Sequence, residues 1–534
     1  MATRATQSEL SPTELSAAEI ARAVRAGQLS AAEVVDAYIR RIEQVDPKLN
    51  AVVVPTFEQA REQAEQTDDA RRQGTELGPL AGVPVTIKEQ YVVAGTPTTV
   101  GLHREVDHIR TEEGPAVAAL RKAGAIIVGK TNVVQLLAAH ESDNPVYGRT
   151  SNPWDLRRTP GGSSGGEAAI IAARGSALGL GGDLGGSVRV PAHFTGISGF
   201  KPTSWRLPLS DTPADLFPPG QEAIVPQPGP MARTVADLSL AMDVLATADG
   251  ALEGCPPVPW RSPDAVKVGE LTVGIYEDDG VFPPSPAVRR AVREAADALE
   301  QAGTKVVRFD PPNAEALYRT FLGVLSADGA AGFRRMLRGE KPHPLLKGLI
   351  QGGSAPGPMR RIMARMVELG GQRRLARLMR SVGGRSADRY LQLVGQRTKL
   401  RAQFLAAMDD AGVDALLCPP YGLPAVPHGG TELLMDAASY AVAFNVIGAP
   451  AGVTPVTRVR SGEESDRPES RDPADRAALA AERESAGLPV GVQVMARPWR
   501  DDVVLAVMAA VEDGVRATPD FPSAPELAGG ERPA

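Results

Sequence analysis

Two glycine-rich turns that carry serine, and one lysine closing an apolar run, are the residues of this chain best suited to chemistry. The first turn reads Thr159-Pro160-Gly161-Gly162-Ser163-Ser164-Gly165-Gly166-Glu167, and the second Gly181-Gly182-Asp183-Leu184-Gly185-Gly186-Ser187-Val188-Arg189-Val190-Pro191. Upstream, Gly82-Val83-Pro84-Val85-Thr86-Ile87 leads into Lys88 and Glu89. Glycine inside a strand or helix weakens it, so a core has no use for two such turns. What they suit is a preorganised nest of backbone N–H groups around a hydroxyl nucleophile.

Two other patterns match known motifs and fail on context. Gly124-Ala125-Ile126-Ile127-Val128-Gly129-Lys130-Thr131 has the letters of a phosphate-binding P-loop. A P-loop's intervening residues form the loop itself, whereas here they are an apolar strand. Gly161-Gly162-Ser163-Ser164-Gly165 matches the nucleophile elbow, which needs a strand just before it. The preceding Asn152–Pro160 stretch reads as loop. The six histidines, His103, His108, His140, His193, His343 and His428, form no zinc pattern.

The elements around these turns read as alternating strands and helices. Ser11-Pro12-Thr13-Glu14 has the signs of a helix start, and a second helix opens near Ser30 with Val34, Val35, Tyr38 and Ile39 on one face. A helix is expected over Gly114–Ala123, then a buried strand at Ala125–Val128. Further strands are expected at Leu271–Tyr276, Lys305–Phe309, Asp414–Cys418 and Leu488–Met495, with a helix over Pro286–Ala302. This texture predicts an α/β fold around an internal sheet. The expected organisation is an N-terminal helical segment, 1–80, packing on a main domain, 81–525. The motif core is 81–203, and 526–534 is a flexible tail.

Two segments depart from that texture. Residues 458–486 hold 6 Arg and 8 Asp or Glu, which predicts a surface insertion, partly disordered or a short charged helix. Residues 359–380 carry seven arginines against the single Glu368, interleaved with Met359, Ile362, Met363, Met366, Leu369, Leu375 and Leu378. The plain reading is a surface helix with its apolar face on the core. The sharper one is weak contact with an anionic membrane surface.

The whole chain has 534 residues, 43% hydrophobic and 23% charged, with net charge −6. That supports a large core and argues against a general nucleic-acid binder. Cys255 and Cys418 give neither a disulfide framework nor metal spacing. No apolar run approaches the roughly 20 residues that span a bilayer, and the N-terminus lacks a signal-peptide h-region. A cytoplasmic protein is the expectation, peripheral to a membrane if 359–380 touches one.

Taken with Lys88, the region 159–203 resembles the amidase signature family. The matching words are Gly161–Gly166, then Asp183–Pro191, then Gly199-Phe200-Lys201-Pro202-Thr203, in order and with the right gaps. Gly129–Asn132, Asn152-Pro153-Trp154, Phe444-Asn445 and Gly487–Gln493 look like further family segments. The resemblance implies a single large α/β domain with a mixed twisted sheet covered by helices. It also implies amide hydrolysis by a Ser–cis-Ser–Lys triad through an acyl-enzyme: Ser187 as nucleophile, Ser163 as bridging cis-serine, Lys88 as base. Backbone N–H groups of Leu184, Gly185, Gly186 and Ser187 match the oxyanion hole. Ser164 reads as support for the first serine, and Asp183 with Arg189 as an internal ion pair shaping the loop. No metal or organic cofactor is implied. The family usually has Thr or Ser where this chain has Gly182, so a hydroxyl that could support the serine relay is missing.

Within the family the chain is most similar to the fatty-acid amide hydrolase branch. Glu167 after the glycines, Pro450–Thr457 before the charged insertion, and Arg385–Asp388 before a long helix carry that similarity. It implies N-acyl amides with apolar acyl groups as substrates. The alternatives are a broad amidase on small aliphatic, aryl or amino-acid amides, and a glutaminase-type subunit of a tRNA-dependent amidotransferase. The expected partner is a small-molecule or lipid amide, not nucleic acid, and a homodimer is left open.

Overall fold

Apolar runs without alternation predict strands buried on both faces, and Ile126-Ile127-Val128 becomes one. In the computed structural model, residues 11–209, 211–216, 222–246 and 255–527 are described. The strands are β1 (Val52–Pro55), β2 (Pro84–Lys88), β3 (Ile126–Thr131), β4 (Asp143–Asn144), β5 (Gly148–Arg149), β6 (Leu178–Asp183), β7 (Ser198–Lys201), β8 (Gln227–Ala232), β9 (Thr272–Ile275), β10 (Lys305–Arg308), β11 (Ala415–Cys418), β12 (Ala451–Arg458) and β13 (Pro489–Ala496). β4 and β5 pair alone. The other eleven form one mixed sheet in the order β1-β3-β2-β6-β8-β7-β12-β13-β11-β9-β10. Helices cover the sheet and bury one large apolar core, with a small second cluster around Val100, Leu102 and Leu346, in the single α/β domain that the sequence predicts.

The part of the sheet that matters for chemistry is its β3-β2-β6 segment. These three strands are parallel, with Lys88 paired to Thr131 and Ile87 to Leu180. Parallel neighbours end at the same edge, so the lysine at the end of β2 arrives beside the glycine turn that leaves β6. Loops at the carboxyl ends of parallel strands are where α/β proteins build sites.

Several elements fall where the sequence places them. The helix Ala31–Leu49 starts with a reciprocal capping box between Ser30 and Glu33. The strands β9, β10, β11 and β13 and the helix Pro286–Gln301 lie within a residue or two of expectation. β3 being a strand removes the P-loop reading, and Lys130 is pulled into the core, where Nζ donates to Thr98 Oγ1 at 2.9 Å and to the Pro97 carbonyl. Of the tail 526–534, residues 528–534 lie outside the described residues.

Two expectations are corrected. Pro12–Glu14 is one 3-10 turn, and the first α-helix, Ala17–Arg25, starts at Ser16. Ser16 accepts from Glu19 N–H and gives its own N–H to the Glu19 carboxylate, a box that Ser11 does not make. The helix Gly357–Leu369 is turned round: Arg360 and Ala364 face inward, while Met359, Ile362, Met363, Met366 and Leu369 are exposed. Arg360 finds its acceptor in the Ala355 carbonyl at 2.9 Å. The charged insertion contains the short helix Pro473–Glu482, held by a buried Arg467–Glu482 ion pair at 2.9 Å. No described helix is long and apolar enough to cross a membrane.

Candidate active site

Lys88 ends β2 with 1% of its surface exposed. Its Nζ donates to the Gly182 carbonyl at 3.0 Å and lies in hydrogen-bond contact with Ser163 Oγ at 2.8 Å. Burial pushes this amine down to about 7, against the opposing pull of the Asp183 and Glu167 charges. A lysine at that value is neutral in a large share of molecules near neutrality. Ser163 follows a cis Gly162–Ser163 peptide bond. Gly162 is required by close approach: a Cβ there would collide with the backbone of Glu141.

Ser187 sits on the turn between β6 and the helix Arg189–Thr195, and its hydroxyl caps no helix. The two serine turns are laced together through Ser164. Its N–H donates to the Ser187 carbonyl at 3.2 Å, and its Oγ accepts from Gly182 N–H at 3.3 Å. The Ser187 turn is shaped by Asp183, fully buried with Arg189 in an ion pair of 2.9 Å. Burial pushes the Asp183 carboxyl up, but the Arg189 charge, Lys201 and Asn445 hold it well below the usual range. Arg189 donates also to Gln493 Oε1, Asn445 Oδ1 and the Ala441 carbonyl. Asp183 accepts from the N–H groups of Gly186 at 2.8 Å and Val188 at 3.1 Å. Among the described residues, the N–H groups of Leu184, Gly185 and Ser187 have no acceptor. Of the four expected oxyanion donors, Gly186 therefore stands apart, committed to Asp183.

Sequence reasoning missed four neighbours. Tyr91 fills the space of the hydroxyl absent at Gly182: its Oη donates to the Gly181 carbonyl at 3.0 Å, and a Cβ on Gly182 would strike it. Glu167, a branch marker in sequence, lies buried behind Lys88 and accepts from Thr131 Oγ1 at 2.6 Å and from Thr86 Oγ1. Burial pushes its carboxyl up to about 7. Phe321 closes over the turn, since a Cβ on Gly185 would fall 2.6 Å from its ring. His140 donates from Nε2 to the Gly185 carbonyl at 2.9 Å. Tyr91, Phe321 and His140 have no local motif; Glu167 stands in the first glycine-serine word, and Asn445 and Gln493 stand in family-like segments.

Hydrolysis of an acyl bond needs a group that can take a proton from a hydroxyl, beside donors that can hold an oxyanion. The class that fold and site define is therefore a hydrolase. Comparison with known proteins narrows it. The amidase family model matches residues 33–505, and the chain belongs to that family: it is an enzyme that cleaves amide bonds. Fatty acid amide hydrolase 1 of Caenorhabditis elegans is 33% identical over 92% of this chain and 86% of its own length. A solved structure of a fatty acid amide hydrolase superposes with TM-score 0.83 at 30% identity, over 97% of this chain and 87% of that one. Indoleacetamide hydrolase of Bradyrhizobium diazoefficiens is 38% identical over 58% of this chain and 59% of its own. The resemblance to the fatty-acid amide hydrolase branch agrees with the first two.

Proposed function

We propose that this chain hydrolyses N-acyl amides with apolar acyl groups, with Ser187 as nucleophile, Ser163 as proton relay and Lys88 as base. The observation that carries the chemistry is the 2.8 Å contact between Ser163 Oγ and a fully buried Lys88. When the amine is neutral, the direction of that bond reverses and the Ser163 hydroxyl donates to Nζ. Ser163 passes its proton to Lys88 and takes that of Ser187, whose oxygen attacks the amide carbon. The oxyanion so formed is met by the N–H groups of Leu184, Gly185 and Ser187, each donor being worth about 3–4 kcal/mol of transition-state stabilisation. As the C–N bond breaks, Ser163 gives a proton to the leaving amine and recovers one from Lys88. Water then hydrolyses the acyl-Ser187 ester by the same relay.

The fatty acid amide hydrolases among the relatives support the apolar acyl group. The outward apolar residues of the helix Gly357–Leu369, flanked by exposed Arg361 and Arg365, support weak contact with an anionic membrane surface. A second reading, a small aryl amide, is favoured by the indoleacetamide hydrolase relative.

The test is kcat/KM on primary amides and ethanolamides of increasing chain length, with one aryl amide beside them. Each buried methylene contributes up to about 0.8 kcal/mol, so a steep rise with length is expected. A flat profile, or preference for the aryl amide, overturns the apolar acyl reading. Ser187→Ala is expected to abolish turnover and labelling by a fluorophosphonate; retained labelling would remove Ser187 as nucleophile.

A further inference from the structure

The segment carrying His140 and Glu141 touches both serine turns. The Glu141 backbone packs against Gly162, and its carboxylate is anchored by Gly429 N–H and Thr431 Oγ1, both at 3.0 Å. One residue earlier, His140 Nε2 lies 2.9 Å from the Gly185 carbonyl. A carbonyl only accepts, so Nε2 carries the proton. On the other side of the same peptide unit, Gly186 N–H donates to Asp183 Oδ1 at 2.8 Å. The Gly185–Gly186 peptide is thus held at both ends, its C=O by His140 and its N–H by the Arg189-bound carboxylate. The imidazole is itself set by an edge contact with Tyr421, ring centroids 6.2 Å apart.

We propose that His140 is a positioning residue for amide hydrolysis: with Asp183 it fixes the Gly185–Gly186 peptide so that the N–H groups of Leu184, Gly185 and Ser187 remain turned toward the oxyanion. The inference rests on the reading of Ser187 and its turn given above. Without the imidazole donor that peptide is held only through its N–H by Asp183 and can tilt about its flanking glycines, and a tilted carbonyl dipole opposes the charge that develops in the transition state. The oxyanion forms only as the reaction proceeds, so the effect falls on kcat rather than KM.

The experiment compares His140→Phe, which keeps a ring without a donor, with His140→Gln, whose side-chain amide restores one. Readouts are kcat, KM, and the affinities of a trifluoromethyl ketone, which forms an oxyanion on serine, and of the corresponding neutral alcohol, which forms none. Expected for His140→Phe is a kcat lower by about 10- to 100-fold, below the 10²- to 10³-fold of losing a whole donor. Its KM stays within about 3-fold, ketone affinity falls in parallel with kcat, and alcohol affinity is unchanged. His140→Gln recovers most of the loss. Ketone affinity and kcat within about 2-fold of wild type in His140→Phe overturn the proposal, as does a Gln variant no better than Phe. If His140→Phe does not fold, His140→Met supplies the donor-free comparison. Turnover by Ser187→Ala would instead overturn the reading of the site, so the two failures are separable.

Discussion

Lys88 is under two opposed influences at the residue scale. Asp183 and Glu167 draw it toward the charged form, and complete burial drives it toward the neutral one. Burial wins, setting it near 7, whereas an ordinary lysine near 10.4 is neutral in only about one molecule in 2,500 at pH 7. In the proposed mechanism the base must be neutral, so activity is expected above about pH 7 and should fall tenfold per unit below it. We expect kcat/KM to rise with unit slope and level off near that value, and Lys88→Ala to lose both the activity and this limb. A limb displaced beyond pH 9, or retained in Lys88→Ala, would contradict the assignment. Gly182 makes a second residue-scale case. Sequence shows a missing hydroxyl there, while the Tyr91 ring that fills the space comes from another loop and has no signature. Gly182→Ala is expected to destabilise by about 1–3 kcal/mol through overpacking. Tyr91→Phe, lacking Oη, should recover at least half of that in the double variant, read from denaturant midpoints. Additive effects would mean that the two residues do not compete for space.

At the scale of elements, what was legible followed from periodicity and capping chemistry, and what was not followed from contacts made at long range. Ser30 with Glu33 announces the helix Ala31–Leu49 because both partners of the box lie within one turn. Lys88 and the two serine turns were legible as words, since chemistry demands those residue types close together. Their meeting depends on β2 and β6 being neighbours, which no local pattern states. The same holds for Arg189, which reaches Asp183, the Ala441 carbonyl and Asn445 of the helix Ser439–Ile447, and Gln493 of β13. Removing one partner of a fully buried pair leaves the other charge uncompensated, typically at about 3–5 kcal/mol. Arg189→Met is therefore expected to lower the unfolding free energy by that order, read from denaturant unfolding, and to abolish turnover through the loosened Ser187 turn. A stable, active Arg189→Met would show that the turn keeps its shape without the ion pair.

On the scale of the whole molecule, the outward helix Gly357–Leu369 reverses the simplest reading of its own sequence. Periodicity shows that an apolar face exists but not which way it points, and here Arg360 is buried while Leu369 is 82% exposed and Met366 67%. Ile362, at 64%, continues the same surface. Such a face is unfavourable in water, where each exposed side chain forgoes about 1.5–3 kcal/mol of burial. A chain with net charge −6 has little general attraction to anionic lipid, so the proposed contact rests on this local patch alone. Arginines near a negative surface add about 1 kcal/mol each. Wild-type protein is accordingly expected to co-sediment with vesicles containing phosphatidylserine, less with neutral ones, and less at high salt. Ile362→Glu with Met366→Glu should lower that binding at least tenfold. It should also reduce kcat/KM for a long-chain amide presented in vesicles, while turnover of a short, soluble amide stays within about 2-fold because the site at the ends of β2 and β6 is untouched. Equal co-sedimentation of wild type and double variant would remove the membrane surface as the partner of this face.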